Sequence, residues 1–427
     1  MRYPEFLSSP VLAADPLIEG PSPRPRWLDG LPFARGVSRN TDLKPAAERP
    51  SMKKFPEAQP LALSDHKKHK LRIAMLAAGD VFGGAERQLL TLCRAGSPYF
   101  DAIIFQCQPG PLAEEAARVG LTVRTDIQRS TVSANGRALA KVLKAHQLDL
   151  VHAHGYLGSV LAALARASGA ILPFVRTVHG ATERSFFSKM ALYGHLGDLA
   201  TRFCRGESVY VSHELCNRVK AHGPHDHVIH NGVEFAEEAP MRPTEYASSV
   251  FNFLIVGRLE PVKDVSNALE AFAASTFAQP AQLHIVGEGP ERAALEAKVR
   301  AYGLDSRVHF HGFRADVLSF IAHADALLIP SRHEGIPYVL LEALWLGTPV
   351  IASNVGGIPE VVSNHWEALL VPPRTPGALS AAMSTLMLNH VLRSHLSARG
   401  KVRVTQGFTA KTMARRYYEL YRNCLAR

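Results

Sequence analysis

Short apolar runs alternate with segments of helical character twice along this chain. In the first series the runs are LRIAMLAA, DAIIFQC, LTVRT, DLVHAH, PFVRTVH and SVYVS, and in the second they are FNFLIVG, AQLHIVG, RVHFHG, ADALLIP, TPVIAS and EALLVP. Apolar runs separated by helices are typical of parallel strands that are covered on both faces. The sequence therefore predicts an α/β fold with two similar units in tandem.

The boundaries of these units follow from the distribution of proline and apolar residues. Eleven of the 28 prolines lie within the first 60 residues, so we expect residues 1–70 to be a disordered leader. The first unit then spans residues 71–238 and the second 250–408, with a proline-containing linker between them. Residues 409–427 are predicted to form a final amphipathic helix, because large apolar side chains recur there at helical spacing.

Composition argues against several classes of protein. The five cysteines form no C-x-x-C pair, which disfavours a disulfide framework or a zinc knuckle and favours a reducing cytoplasm. The proline-interrupted start lacks the apolar stretch of a secretory signal, and no run of about twenty apolar residues predicts a membrane span. The net charge of +10 suits an acidic partner, which could be a nucleotide phosphate, an anionic membrane surface or nucleic acid.

The stretch SRHEGIPYVLLEALWLGTPV is the richest in candidate site residues. Gly335 opens a turn, and Pro337 suits the start of a helix. The first backbone N–H groups of a helix have no partner within it, and the helix dipole is positive at that end. The sequence therefore predicts that a diphosphate is cradled by the amides of Tyr338, Val339 and Leu340.

Two glutamates belong to the same stretch, Glu334 in the loop ahead of the helix and Glu342 along it. At a rise of about 1.5 Å per residue their backbones are about 12 Å apart, whereas a retaining hydrolase holds its carboxyl groups about 5 Å apart. The spacing better suits one carboxylate at each end of a diphosphate-linked ligand, where each accepts hydrogen bonds from hydroxyl groups. The alternative is a favourable charge at a helix start for Glu334 and a solvated position for Glu342.

Two cations follow the buried strand in FLIVGRLEPVKD. Arg258 lies at the strand exit and Lys263 at the beginning of the next helix, so both can neutralise a departing diphosphate, a role that a metal ion fills in other enzymes. No D-x-D carboxylate pair occurs in the chain to hold such a metal. We therefore expect no metal site and no cofactor, although two surface residues flanking a turn would give the same pattern.

A double glycine, Gly83 and Gly84, directly precedes a predicted helix. Because glycine has no side chain, a ligand can approach the backbone of such a loop and the helix start behind it. The pattern fits neither the G-x-G-x-x-G dinucleotide fingerprint nor a phosphate-binding loop that ends in G-K-[ST].

Taken together and in this order, the double glycine, the Arg258 and Lys263 pair and the E-x7-E spacing from Glu334 to Glu342 resemble the retaining glycosyltransferases of family 4. The resemblance runs from about Leu71 to the C-terminus. It implies the GT-B fold, in which two Rossmann-like domains with parallel sheets face each other and a C-terminal helix crosses back to the N-terminal domain.

The resemblance also implies roles for single residues. Arg258 and Lys263 would bind the donor diphosphate, Glu342 the ribose hydroxyls, and Glu334 the hydroxyls of the transferred sugar near the reacting carbon. His179 aligns with a histidine beside the reaction centre, so we count it as a candidate catalytic residue with Glu334, Arg258 and Lys263. The departing phosphate would itself take the acceptor's proton.

Other positions match the family more loosely. The loops that contain Gly289 and Phe313 resemble its nucleobase region. Asp264 stands where the family often has glycine or asparagine, and Tyr338 where leucine is common. Neither departure removes a functional group.

Several histidines have further interpretations. His152 and His154 end a strand and share a face, which permits an acceptor site or a metal pair, but no further ligands at recognisable spacing support a metal. We expect His154 and His179 to lie in the acceptor site. His309 and His311 are interpreted as packed, hydrogen-bonded strand residues.

Residues 183–205 mix four cations with large apolar side chains. Their spacing permits an interfacial membrane helix or an acceptor-binding wall. An amphipathic helix that packs on its own core is the simpler interpretation.

We therefore expect a metal-independent enzyme that moves a sugar from a UDP- or GDP-sugar to a glycan or lipid-linked acceptor with retention of configuration. The resemblance suggests a cytoplasmic protein of polysaccharide or lipopolysaccharide biosynthesis, with peripheral contact at the inner face of the plasma membrane. The alternative is a nucleotide-sugar-binding protein without catalysis. A nucleic-acid partner is not expected, because charge alone supports it.

Overall fold

The structure is a computed structural model that describes residues 70–80, 82–128, 131–180, 189–234, 240–247 and 249–426, with the backbone alone for residues 189–194. All but the last residue of the predicted disordered leader lies outside the described residues. So do the start of the segment 183–205 and part of the predicted linker.

Seven parallel strands form the first sheet, in the order β3-β2-β1-β4-β5-β6-β7. The strands are β1 Leu71–Ala77, β2 Phe100–Gln106, β3 Val123–Arg124, β4 Leu150–His154, β5 Phe174–Val178, β6 Glu207–Tyr210 and β7 Asp226–Val228. The helices of this half are α1 Gly84–Gly96, α2 Leu112–Arg118, α3 Val132–Ala145, α4 Gly155–Ala167, α5 Lys189–Phe203 and α6 His213–Arg218. All six predicted runs form strands; β7 was not predicted, because its three residues include two polar ones.

Six parallel strands form the second sheet, in the order β10-β9-β8-β11-β12-β13. They are β8 Phe251–Val256, β9 Ala281–Val286, β10 Val308–Gly312, β11 Ala326–Ile329, β12 Val350–Ser353 and β13 Leu369–Val371. The helices are α7 Val265–Ala274, α8 Arg292–Ala301, α9 Val317–His323, α10 Tyr338–Leu346, α11 Ile358–Val361, α12 Pro376–Leu388, α13 His390–Gly407 and α14 Ala410–Leu425.

Each sheet is covered on both faces, as its continuous apolar runs predict. Along β1, Ile73 and Met75 belong to one core cluster while Ala74 and Leu76 belong to another. The same alternation divides β8 between two clusters of the second half. Successive side chains of a strand point to opposite faces, so a run buried on both faces requires helices on both sides.

The last helix, α14, returns to the first half of the chain. Its side chains Met413, Tyr417, Leu420 and Tyr421 are buried in the same cluster as β1. The backbone at Val233 fixes the crossing point, because its amide donates to the Phe408 carbonyl at 2.9 Å and its carbonyl accepts from the Ala410 amide at 2.9 Å. The predicted crossing of a C-terminal amphipathic helix is confirmed.

Within each parallel sheet the loops at the strands' carboxyl ends lie along one edge, where open α/β sheets bind ligands. Every predicted site residue except those within α10 lies at such an end. In the first half these residues are Gly83, Gly84, His154 and His179, and in the second they are Arg258, Lys263, Gly289, Phe313 and Glu334.

In the described part of the chain, no helix has the length and apolar content needed to cross a membrane. The described side chains of α5 differ in their exposure to solvent. Ala200 is buried, whereas Leu199 is 64% exposed and Phe203 is 55% exposed. The helix therefore packs on the protein by one face and presents apolar side chains to solvent on another.

Candidate active site

Glu334 and Lys263 meet although 71 residues separate them. The Oε1 atom of Glu334 accepts hydrogen bonds from Lys263 Nζ at 2.7 Å and from Ser331 Oγ at 2.7 Å. The Glu334 side chain is only 9% exposed and that of Lys263 is 28% exposed. The Glu334 carboxylate is therefore fixed by two donors, and a favourable charge at a helix start does not account for these two contacts. Sequence reasoning missed Ser331, for which no spacing signal exists.

The backbone around Glu334 is held from two sides. A Cβ at Gly356 would lie 1.8 Å from the Glu334 carbonyl oxygen, and the Gly357 amide donates to the Gly335 carbonyl at 3.0 Å. On the other side a Cβ at Gly335 would lie 2.7 Å from the carbonyl oxygen of His179. The loop after β11 is thus packed between its own half and the His179 loop of the first half. The dipeptide at 356–357 was a visible signal of this close approach.

The backbone beside Lys263 explains one departure from the family. Asp264 has φ of 49°, in the left-handed region that favours glycine and, among other residues, asparagine and aspartate. Its carboxylate accepts from Arg332 Nη2 at 2.7 Å, and the Arg332 amide donates to the Val262 carbonyl at 2.8 Å. Aspartate therefore meets the conformational requirement and also ties the Lys263 turn to the Glu334 loop.

Arg258 is paired with a different carboxylate from that of Lys263. Its guanidinium contacts Glu260 at 2.8 Å, and its side chain is 45% exposed. In the first half, Glu86 of α1 accepts a hydrogen bond from the Gly83 amide at 3.1 Å. Burial raises the pKa of Glu86, and the positive charge of Arg258 acts in the opposite direction. The glycine loop and Arg258 are therefore close enough for their charges to interact.

The double glycine leaves open space at the start of α1. Among the described residues, a Cβ at Gly84 would meet nothing within 4 Å, and one at Gly83 would meet only a Glu86 carboxylate oxygen, at 3.6 Å. Packing within the protein therefore does not demand glycine at either position. The absent side chains leave the backbone of this loop accessible to a ligand.

Glu342 forms an ion pair that joins the two halves. Its Oε1 atom lies 2.6 Å from Nη2 of Arg87 on α1, and the Glu342 side chain is 4% exposed. Burial raises the pKa of Glu342, although Arg87 acts to lower it. The alternative of a solvated Glu342 is therefore wrong. Arg87 follows the double glycine by three residues, but no local pattern in the sequence pairs it with Glu342.

The start of α10 offers fewer free amides than predicted. Pro337 is the N-cap and Tyr338 the first helical residue. The Leu340 amide already donates to the Pro337 carbonyl at 3.1 Å. The phosphate cradle expected from three amides is thus reduced to those of Tyr338 and Val339, because a tight first turn uses the third.

His154 and His179 lie side by side at the carboxyl ends of the neighbouring strands β4 and β5. His154 Nδ1 and His179 Nε2 are 3.2 Å apart, and the rings stack with centroids 5.3 Å apart. Burial and then the charge of Arg176 lower the pKa of His179 to about 3. Burial and the neighbouring histidines also lower the pKa of His154 well below its usual range. Both imidazoles are therefore neutral near pH 7.

His152 has a different role from its neighbour two residues on. Its Nδ1 lies 2.7 Å from the Tyr421 hydroxyl and its Nε2 lies 2.8 Å from Thr177 Oγ1. Thr177 in turn lies 2.8 Å from the hydroxyl of Tyr417. The metal pair with His154 is disfavoured, because both ring nitrogens of His152 are occupied in the core.

These hydrogen bonds continue into the loop between the two glutamates. Gln88 Nε2 donates to the Tyr417 hydroxyl at 3.3 Å and to Asn231 Oδ1 at 3.0 Å. Asn231 Nδ2 donates to the Ile336 carbonyl at 2.7 Å. A buried chain of polar groups therefore connects the first sheet, α14 and α1 to the Glu334 loop, and the sequence contained no signal for it.

The loops assigned to the nucleobase differ in exposure. Gly289 packs on the Arg258 loop, where a Cβ would lie 2.5 Å from the Leu259 carbonyl oxygen. Phe313 is 58% exposed and so has a free ring face. By contrast, His311 Nε2 lies 3.0 Å from His284 Nδ1, and the rings of His309 and His284 are tilted with centroids 5.2 Å apart, so both residues pack against His284.

Two family profiles match consecutive parts of the chain. Residues 82–237 match the profile described as Glycosyltransferase Family 4, and residues 242–403 match that of Glycosyl transferases group 1. The chain belongs to glycosyltransferase family 4. This family 4 enzyme is 26% identical over 297 residues to N-acetyl-alpha-D-glucosaminyl L-malate synthase of Bacillus anthracis, covering 67% of this chain and 78% of that protein. It is also 32% identical over 165 residues to the lipopolysaccharide core biosynthesis glycosyltransferase LpsD of Rhizobium meliloti, covering 39% of this chain and 44% of LpsD.

Solved structures establish the fold of this family 4 enzyme. It superposes on the crystal structure of Anabaena HepE in complex with UDP-glucose with a TM-score of 0.71 and 22% identity, covering 83% of this chain and all of that one. The two parallel sheets and the returning helix are therefore those of a GT-B glycosyltransferase, and the predicted fold class is confirmed.

Proposed function

We propose that this enzyme transfers a sugar from a UDP- or GDP-sugar to a hydroxyl of a glycan or lipid-linked glycan, with retention of configuration and without a metal at the donor site. The contact of Lys263 with Glu334 carries the proposal. It joins a cation suited to phosphate with a carboxylate suited to sugar hydroxyls, at the point where Gly335 touches the His179 loop. The HepE complex with UDP-glucose and the name of LpsD support the donor and acceptor classes.

The proposed chemistry needs no side-chain nucleophile. The bond from the sugar's anomeric carbon to the phosphate oxygen breaks, the bond to the acceptor oxygen forms, and the acceptor's proton passes to the departing phosphate. Lys263 and Arg258 stabilise the negative charge that grows on the diphosphate. Glu334 holds hydroxyls of the transferred sugar. His179 is neutral and serves as a hydrogen-bonding group rather than as an acid.

Glu342 and the α10 start bind the other end of the donor in this proposal. One Glu342 oxygen accepts from Arg87, and a carboxylate has about four acceptor positions in all. Ribose hydroxyls can therefore donate to Glu342 while the ion pair persists. The amides of Tyr338 and Val339 face the diphosphate, and Phe313 offers a ring to the base.

Substitution of the two central residues tests the proposal. Lys263→Ala and Glu334→Ala should each lower the rate of transfer by about 100-fold or more, the scale of losing one charge-stabilising group in an active site. Lys298→Ala is a matched control, because this lysine contacts Glu270 elsewhere in the same half. Nucleoside diphosphate release by purified protein is the measurement, with circular dichroism to confirm folding. Full activity in either site variant would contradict the assignment.

A thermal-shift screen with UDP-, GDP- and ADP-sugars identifies the donor, because binding to the folded state raises Tm. No shift with any of them would argue strongly against donor binding. A shift without transfer to any offered glycan or lipid-linked acceptor would favour the non-catalytic alternative.

Two measurements test retention and metal independence. Proton NMR of the product should show the anomeric configuration of the donor, and inversion would contradict the mechanism. Addition of Mg²⁺ to chelator-treated protein should leave the rate unchanged, and a large activation by Mg²⁺ would contradict metal independence at the donor site.

Peripheral membrane contact is supported by one face of α5. Leu196, Leu199 and Phe203 are 42%, 64% and 55% exposed and recur at helical spacing beside Arg202. An apolar stripe beside a cation suits the interface of an anionic bilayer. Leu199→Glu with Phe203→Glu should abolish co-flotation with anionic vesicles while transfer to a soluble acceptor persists. Equal flotation of variant and parent would exclude this face.

A further inference from the structure

Two histidines and a glutamate meet on the boundary between the halves, away from the residues assigned above. His213 begins α6 and His230 follows β7, both in the first half, whereas Glu360 lies in α11 of the second. One potential ligand atom of each lies within 4.8 Å of the others. His230 Nε2 is 3.0 Å from Glu360 Oε2, and the two imidazole rings have centroids 5.5 Å apart.

The Glu360 carboxylate is oriented by groups that are not ligands. Its Oε2 accepts from the His213 amide at 2.9 Å, and its Oε1 accepts from the Glu214 amide at 2.7 Å. The Glu360 carbonyl accepts from Arg403 at 2.9 Å, which fixes the backbone as well. Hydrogen bonds of this kind hold metal-ligating carboxylates in their binding geometry.

The cluster is open to solvent. His213 is exposed, while His230 and Glu360 are partly buried. A groove of about 700 Å³ runs past His213, Asn217, Pro359 and Glu360. Arg218 also borders this groove, but Glu214 Oε1 lies 2.8 Å from its Nε atom and offsets its charge.

We propose that these three side chains bind Zn²⁺ or a similar divalent transition-metal ion, with a water molecule as the fourth ligand. Two imidazole nitrogens and one carboxylate oxygen are a usual zinc ligand set, and the open groove admits the water. Ligand atoms of a tetrahedral zinc site lie about 3.3 Å apart, for bonds of about 2 Å. The His230 and Glu360 atoms already satisfy this distance, and the exposed His213 ring moves closer by rotation of its side chain.

Metal binding displaces the proton that lies between His230 Nε2 and Glu360 Oε2. The proton between His230 Nε2 and Glu360 Oε2 moves to His230 Nδ1, or to solvent if the imidazole was already charged. The carboxylate then bonds the ion through the oxygen released from His230, and its bonds from the two backbone amides remain. The net charge of the cluster rises and no redox step is involved.

A metal ion here links the two halves behind the active site. Glu360 lies three residues after Gly357, whose amide holds the Gly335 carbonyl beside Glu334. His213 and His230 belong to the first half. An occupied site therefore restrains the Glu334 loop against the first sheet, and the enzyme acquires a structural cation that its transfer chemistry does not use.

Zinc stoichiometry in the full-length, untagged protein tests the proposal. The protein is treated with a chelator, exchanged into metal-free buffer, incubated with excess ZnCl₂, gel-filtered and analysed for zinc. We expect one equivalent per chain and a Tm that rises with zinc concentration. Co²⁺ in place of zinc should give the visible absorption of tetrahedral coordination.

Matched variants assign the site. His213→Ala leaves the backbone amide in place and should weaken binding at least tenfold, and His230→Ala with His213→Ala should abolish it. The control variant is His225→Ala with His227→Ala. These histidines contact opposite oxygens of Glu207, at 3.0 and 2.7 Å, and their loss should leave the zinc stoichiometry unchanged. Less than about 0.2 equivalents of zinc per chain in the parent protein would overturn the proposal. Equal zinc content in the His213→Ala variant and the parent would also overturn it.

Discussion

The carboxylate of Glu342 on α10 and the guanidinium of Arg87 on α1 lie 2.6 Å apart and join the two halves of the enzyme. The Glu342 side chain is 4% exposed, and a carboxylate this well buried is stable in its charged form only when it is paired. The helix that follows the double glycine is therefore tied to the helix that follows the Glu334 loop. The distance between the starts of α1 and α10 is therefore fixed before any ligand binds to both of them.

Arg87→Met tests the energy of this contact. The variant leaves the Glu342 carboxylate buried without its cation, so we expect the free energy of unfolding to fall by about 1–3 kcal/mol at pH 7. The loss is smaller than for a fully buried pair, because the Arg87 side chain is 34% exposed. Urea denaturation measures the free energy of unfolding. The double variant Arg87→Met with Glu342→Gln should regain part of the stability that Arg87→Met alone loses. An additive double variant would show that the two residues do not interact.

The same variant has a defined pH dependence. The pKa of Glu342 in the folded state is raised above its ordinary value of 4.5, so its ionisation destabilises the fold as the pH rises through the folded pKa. Without Arg87 that pKa rises further. The stability deficit of Arg87→Met should therefore be small near pH 4.5 and grow towards pH 7. A deficit that shrinks over this range would contradict the buried pair.

Asn231 should position the Glu334 loop. Asn231→Ala removes the donor to the Ile336 carbonyl, and Asn231→Asp places a carboxylate against that carbonyl instead. We expect a loss of about 1–3 kcal/mol of stability for the alanine variant, the cost of a buried carbonyl without a partner, and a larger loss for aspartate. If the residue positions the loop, kcat should fall while Asn231→Ser recovers part of it. Unchanged kcat in a folded Asn231→Ala protein would refute this role.

The buried histidines predict a loss of stability in acid. Burial lowers the pKa values of His152 and His179 to about 3, so below pH 6.5 the unfolded chain binds protons that the folded chain does not. Each histidine should therefore remove up to about 1.4 kcal/mol of stability per pH unit as the pH falls from 6.5 towards 3. Urea denaturation at several pH values measures the slope. His179→Gln should reduce it, whereas the exposed control His222→Gln should not.

The backbone at Asp264 should limit which residues that position accepts. Asp264→Asn keeps a residue type that tolerates φ of 49°, but Asp264→Ala adds about 1–2 kcal/mol of strain to the loss of the Arg332 contact. We expect the alanine variant to be the less stable of the two. The KM for the donor should also rise, because Lys263 is the adjacent residue. Equal stability of the two variants would rule out the strain.

The strands and the fold class could be predicted, because a parallel strand covered on both faces is a local pattern of consecutive apolar residues. The runs around β1 and β8 needed no tertiary information. The short β7 escaped prediction since its pairing with β6, rather than its own composition, makes it a strand. The first turn of α10 differs from the prediction for a similar reason. Its backbone geometry, rather than its composition, decides whether the Leu340 amide is free to bind a ligand.

The sequence by itself determined the two α/β units and the amphipathic last helix, because each depends on residues close together along the chain. The order of the motifs marks family 4, and the resemblance to that family implied that the last helix returns to the first half. Only the tertiary structure decided which partners those motifs meet. Glu334 joins Lys263, Glu342 joins Arg87, Asn231 joins Ile336, and Glu360 joins His213 and His230. These contacts join residues about 70 to 255 positions apart, and the distance between such residues depends on how the sheets and helices pack rather than on any local pattern.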